Sequence, residues 1–108
     1  MTVEYFANST GFEILAMPSP EKEIDGAYVG DLLSWVMGKA DCGNVWITIM
    51  SNINIIAVAT LADVSCIVLA EGVRLEGDVL DLALSKGVNV LSTTLSAYET
   101  SKNIAGII

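Results

Sequence analysis

The chain has no histidine, and that absence removes much of the usual catalytic chemistry. A Ser-His-Asp triad cannot be assembled. A zinc site would have to be built from cysteines and carboxylates alone. Cysteine is scarce too: only Cys42 and Cys66 are present, with no C-x-x-C between them. Two such cysteines fit a reducing compartment, where they stay as thiols. Cys42 lies in the polar stretch "KADCGN" and reads as an exposed thiol. Cys66 opens the apolar run "CIVLA" and reads as a small buried hydrophobe. Positive charge is the third shortage. Five Lys and Arg face thirteen Asp and Glu, a net charge of −8. Nucleic-acid binding needs a basic face to neutralise phosphates, and an anionic membrane surface attracts basic segments for the same reason. Neither DNA, RNA nor membrane is therefore expected as a partner. A basic protein remains compatible with this charge.

Several motifs are missing as well. No G-x-x-x-x-G-K-[ST] occurs, and no G-x-G-x-x-G follows a strand. "GVRLEGD" has two glycines at the wrong spacing, and there is no G-x-S-x-G elbow. A phosphoacceptor receiver needs acids ending its first and third strands, where this chain offers hydroxyls and amides. Glu71 and Glu76 are a carboxylate pair in sequence, but their spacing fits no hydrolase, and an exposed loop explains them. No catalytic residue, metal ligand or cofactor is assigned, and the chain reads as a non-enzyme. The start, "MTVEYFANSTGFEIL", lacks the charged region and long apolar run of a signal peptide, which predicts a cytoplasmic location.

Apolar residues are what the chain does have. They make up 53% of 108 residues, enough for one domain with a real core and no staple. The greasiest part is "VWITIMSNINIIAVATLADVSCIVLA", Val45 to Ala70, whose one charge is Asp63. A membrane-spanning helix needs about 20 unbroken apolar residues. This stretch is broken at Ser51, Asn52 and Asn54, and again at "ADVS". Its pieces differ in kind. "VWITIM" and "CIVLA" are strand-like, and the first is β-branched and aromatic. "INIIAVATLA" has helix length, with Ser51 or Asn52 able to cap it. The stretch therefore reads as one βαβ unit, buried on both sides of a parallel sheet.

The alternation continues. "EGDVLDLALSKG", Glu76 to Gly87, has acids at its start, an apolar i, i+3, i+4 pattern and Lys-Gly at its end. "VNVLS" follows as a strand. "SAYETSKNIAGII" opens with Ser96 and Glu99, a capping-box pattern. Upstream, "FEILA" and "GAYVG" are strands flanking the loop "PSPEKEID", and Asp31 to Ala40 is a helix. The order β-β-α-β-α-β-α-β-α predicts a three-layer α/β fold, a mainly parallel sheet with helices on both faces.

In such sheets ligands sit beyond the C-terminal ends of the strands. Those positions are Ser51 and Asn52, then Glu71 and Gly72, then Ser92, Thr93 and Thr94, and Gly30 and Asp31 can join them. The expected ligand residues are the six Ser51, Asn52, Glu71, Gly72, Thr93 and Thr94. Hydroxyls, amides and free helix-start N–H groups suit a small polar or anionic ligand. The same residues can also simply cap helices and turn loops. The helix Ile53 to Ala62 poses a further question, because only Asn54 and Thr60 break its apolar surface. One side must cover the sheet. The other is expected to meet a second copy in a homodimer, with Ile53, Ile56, Ala57 and Thr60 as the contact row. Cover by the helix Asp31–Ala40 of the same chain is the alternative.

Ile24 to Ile104 resembles a DRTGG domain. The resemblance is carried by "GDLLSWVM", "NVWITIMSNINIIAVATLADVSCIVLAEG" and "VLDLALSKGVNVLSTTLSAYET", in the family's order. It implies a fold like the N-terminal domain of HPr kinase/phosphorylase, to which the family is related, without that enzyme's P-loop half. It also implies a regulatory or partner-binding module with no activity of its own. The family occurs beside CBS domains in some pyrophosphatases, and as short proteins linked to iron-hydrogenase gene clusters of anaerobes. This chain is similar to the short form, so an assembly role in hydrogenase or redox metabolism is the alternative function. The name-giving motif is largely absent. Glu71-Gly72 stands where relatives carry a Thr-Gly-Gly type turn, and "SNIN" where many carry Gly-Asp-Arg.

Overall fold

The computed structural model describes all 108 residues. The elements are α1 (Val3–Thr10), β1 (Glu13–Ala16), β2 (Gly26–Val29), α2 (Leu33–Lys39), β3 (Asn44–Thr48), α3 (Asn54–Ala62), β4 (Cys66–Leu69), α4 (Gly77–Ser85), β5 (Val90–Ser92) and α5 (Ala97–Ala105). The five strands form one sheet in the order β1-β5-β4-β3-β2. Strands β2 to β5 are parallel, and β1 runs antiparallel along β5. Every residue of β3 and β4 is buried, as their continuous apolar sequence requires when both faces are covered.

The parallel strands follow one another in space as they do in sequence. Crossovers of one hand in a monotonic order put their helices on one face. Accordingly α2, α3 and α4 cover one side, where Trp46, Ile67, Leu69 and Val90 meet Val36, Ile55, Ile56, Ala59 and Ala83. The alternate residues Val45, Ile47, Val68 and Leu91 point the other way, onto Val3, Phe6 and Ala7 of α1 and Ile104 of α5. Both faces are thus covered, but the second face belongs to the terminal helices rather than to crossovers.

Helix α1 is the one element beyond those expected from the sequence. The Thr2 hydroxyl accepts from the Tyr5 N–H at 3.1 Å, and Gly11 ends the helix at φ 71°. At the start of α3, the helix within the greasy centre, the Asn52 side chain accepts from the Asn54 N–H at 2.9 Å. Its nine residues do not span a bilayer, and no helix here is long and apolar enough to do so.

Candidate functional site

Two neighbouring strands send their exits to opposite faces. The segment after β4 leads to α4, and the segment after β5 leads to α5. Such a divergence opens a crevice at the strand ends. The β4 exit first crosses over the end of β5. The Glu71 and Gly72 N–H groups donate to the Leu95 and Thr93 carbonyls, both at 2.8 Å. The Ser92 hydroxyl donates to the Val73 carbonyl at 2.7 Å. Because β1 is antiparallel, its first residue, Glu13, lies opposite Ser92 at this same end. The end of α1 and one turn of α5 complete the walls.

The result is a cavity of about 410 Å³, lined by Thr10, Gly11, Phe12, Glu13, Gly72, Arg74, Ser92, Thr93, Thr94, Leu95 and Asn103. That volume lies in the usual range for small-ligand sites. Most of its hydroxyls are committed to shaping it. The Thr93 side chain accepts from the Leu95 N–H at 3.2 Å. The Thr10 hydroxyl donates to the Phe6 carbonyl at 3.0 Å and accepts from the Phe12 N–H at 3.3 Å. Thr94 and Asn103 are exposed and offer a hydroxyl and an amide. Gly72 takes φ 74° immediately after Glu71 at φ 59°, and these two left-handed residues make the sharp turn over β5. The sole basic side chain of the lining is Arg74. Its Nη1 donates to Glu13 Oε1 at 2.7 Å and lies 2.6 Å from Oε2 in the same ion pair.

Three of the six expected ligand residues, Gly72, Thr93 and Thr94, line this cleft, and Ser92 joins them. Glu71 sits beside it with its side chain in solvent. Ser51 and Asn52 lie beyond β3, one strand further along, and are not in the lining. Gly30 and Asp31 hold the ends of β2 and β3 together. The Trp46 indole donates to the Gly30 carbonyl at 2.9 Å. The Thr48 hydroxyl and the Ile49 N–H donate to one Asp31 oxygen at 2.7 and 3.0 Å. Arg74, Glu13, Thr10 and Asn103 were absent from the expected set. The lone arginine in "GVRLEGD" was a signal for the first of these.

At the opposite end of the sheet the exposed Cys42 thiol donates to Asp63 at 3.1 Å, and Lys22 donates to the other Asp63 oxygen at 3.1 Å. The hydrogen bond and charge of Asp63 push the Cys42 thiol above its ordinary value. That bond and Lys22 in turn hold the Asp63 carboxyl low. No group of three or more metal-type ligands gathers anywhere.

On α3 and its N-cap residue Ile53 the expected contact row divides. Ile53, Ala57 and Thr60 are exposed, whereas Ile56 is only 1% exposed and sits in the core. Leu61, outside that row, is 72% exposed.

The fold and the cleft define a three-layer α/β domain with a polar ligand-type crevice at the C-terminal ends of its parallel strands. Residues 31–107 match the DRTGG domain, and the chain belongs to that family. Among solved structures it is similar to the crystal structure of the CBS and DRTGG domains of the regulatory region of Clostridium perfringens pyrophosphatase, complexed with the activator diadenosine tetraphosphate. The TM-score is 0.73 at 16% identity, over 95% of this chain and 45% of that one. The likeness is one of fold, and this chain spans less than half the length of the other. No curated protein matches the sequence.

Proposed function

We propose that this chain is a cytoplasmic regulatory module that senses a small polar ligand, and that its site is the cleft beyond β4 and β5. The observation that carries this reading is the cleft itself, walled by hydroxyls, an amide and one arginine. The family context supports it, since the related pyrophosphatase region holds a nucleotide activator. Catalysis is not part of the reading, because no side chain in the cleft offers a nucleophile with a base beside it. The test is a thermal-shift series with nucleosides, nucleotides, sugars and sugar phosphates. A ligand at 100 times its dissociation constant adds about 2.7 kcal/mol. For a domain of this size that raises Tm by roughly 10 °C. Amide NMR shifts from the same ligand should centre on Gly72, Thr93 and Thr94. The reading fails if no compound moves Tm, or if the shifts cluster at Ser51 and Asn52 alone.

A second reading, homodimerisation through α3, is favoured by a specific feature. An apolar groove of about 250 Å³ runs between α3 and α4, lined by Ile56, Ala57, Thr60, Leu61, Leu82 and Lys86. Helix α3 carries no charged residue. On a chain of net charge −8, that strip lets a second copy approach without acid facing acid. Ala57→Glu would place two carboxylates in such an interface. It should convert a dimer to a monomer with an unchanged circular dichroism spectrum, because an exposed substitution costs the fold only about 0.5 kcal/mol or less. Sedimentation of the wild-type chain as a monomer at high micromolar concentration would remove this reading.

A further inference from the structure

We propose that the cleft recognises a phosphate group, held by the unused edge of Arg74. The proposal rests on the ligand-sensing reading of the cleft and names the chemistry it selects. Arg74 spends only Nη1 on Glu13, donating to Oε1 with Oε2 alongside in the same ion pair. Its Nε and Nη2 donate to nothing in the chain. These are the two parallel donors that grip a phosphate or carboxylate in a fork. Glu13 therefore acts as an anchor that fixes the guanidinium and leaves a pre-oriented edge free. The ion pair is half-exposed, so the guanidinium is open to a ligand from solvent.

The remaining groups agree with an oxyanion. The exposed Thr94 hydroxyl and Asn103 amide supply further donors. The cleft's one carboxylate is already neutralised by Arg74, and a bound cation would need several. The first turn of α5 does not compete for the role. Its capping box ties the Ser96 side chain to the Glu99 N–H and the Glu99 carboxylate to the Ser96 N–H, so its positive end is already met by an acid. Anion recognition thus falls to Arg74. Gly11 and Gly72 leave open space where side chains would otherwise stand, which gives a tetrahedral group room beside the backbone.

The test uses the full chain and four probes: inorganic phosphate, pyrophosphate, ribose 5-phosphate and ribose. Amide NMR titration should show phosphate-bearing probes perturbing Gly11, Gly72, Arg74 and Thr94, with ribose at least tenfold weaker. Arg74→Gln should weaken them at least tenfold. Arg74→Lys keeps the charge, loses the fork and should fall between. Glu13→Gln keeps an acceptor for Nη1 and removes a repelling charge, so it should tighten phosphate binding several-fold. That sign separates the proposal from a bracing role for the pair, in which Glu13→Gln and Arg74→Gln would both weaken binding. Ribose 5-phosphate binding more tightly than phosphate identifies an organic phosphate as the ligand. Equal affinities identify the free anion, and either result supports the proposal. Phosphates that bind Arg74→Gln as well as wild type overturn it. So does a neutral ligand that occupies the cleft when phosphates do not, a result that leaves the ligand-sensing reading intact. Silence of the cleft toward charged and neutral compounds alike removes both.

Discussion

Trp46→Ala should cost about 3–5 kcal/mol, a large share of the roughly 5–15 kcal/mol that holds a domain together. Trp46 has no solvent exposure and is the largest fully buried side chain. It lies on β3 in the core beneath α2, α3 and α4, with Val36, Ile55 and Ile67. Truncation removes most of its apolar area and leaves a cavity that rigid strands on both sides cannot collapse. It also ends the 2.9 Å bond from the indole to the Gly30 carbonyl, one of the ties between the exits of β2 and β3. Denaturant titration should show a lower midpoint with an unchanged slope, the sign of lost stability without a change in the surface exposed. Trp46→Phe keeps most of the volume and should lose less than half as much. A Trp46→Ala midpoint within the error of wild type would contradict this account of the core.

Strong local signals gave most of the architecture. The apolar runs at β3 and β4 could only be strands buried on both sides. Ser96 and Glu99 form the capping box that their spacing announced. Helix α1 is harder to see, because it is only eight residues long and opens within two residues of the first Met. Its Phe6 is held by a contact across the Gly11 turn, meeting Phe12 edge to face at 6.2 Å. The layer assignment was not local at all. Alternating strands and helices say that both faces are covered, but which helix covers which face follows from strand order.

The site shows the same division. Strand ends could be read along the chain, so Gly72, Thr93 and Thr94 could be named together with Ser51, Asn52 and Glu71. The cleft forms only where neighbouring exits part to opposite faces, and that depends on β5 lying between β4 and β1. Glu13 and Arg74 are 61 residues apart in sequence. Their meeting depends on the antiparallel pairing of β1, which composition and periodicity do not reveal.

In the native chain one thiol should react and the other should not. Cys66 has no exposure, and burial pushes its thiol up to about 12. Its modification must wait for unfolding, so its rate at pH 8 should fall at least about a thousandfold below that of an unfolded thiol. Cys42 is exposed, yet Asp63 holds its proton. It should therefore react more slowly than an open cysteine at the same pH. Asp63→Asn removes the charge that raises Cys42 and keeps a residue type that accepts the left-handed φ of 55°. Cys42 should then react faster, while Cys66 stays silent. The same burial gives a sign for stability against pH. A thiol whose folded value is raised favours the folded state while both states are protonated. Above about pH 9 the unfolded chain loses the Cys66 proton and the folded chain keeps it, so stability falls between there and about 12. The slope from this one group is about 1.4 kcal/mol per pH unit. Cys66→Ala should lower stability at pH 7 by cavity formation and flatten the alkaline slope by that amount. Two reactive thiols in the native chain at pH 8, or an alkaline slope unchanged in Cys66→Ala, would show that β4 is not sealed between its two helical layers.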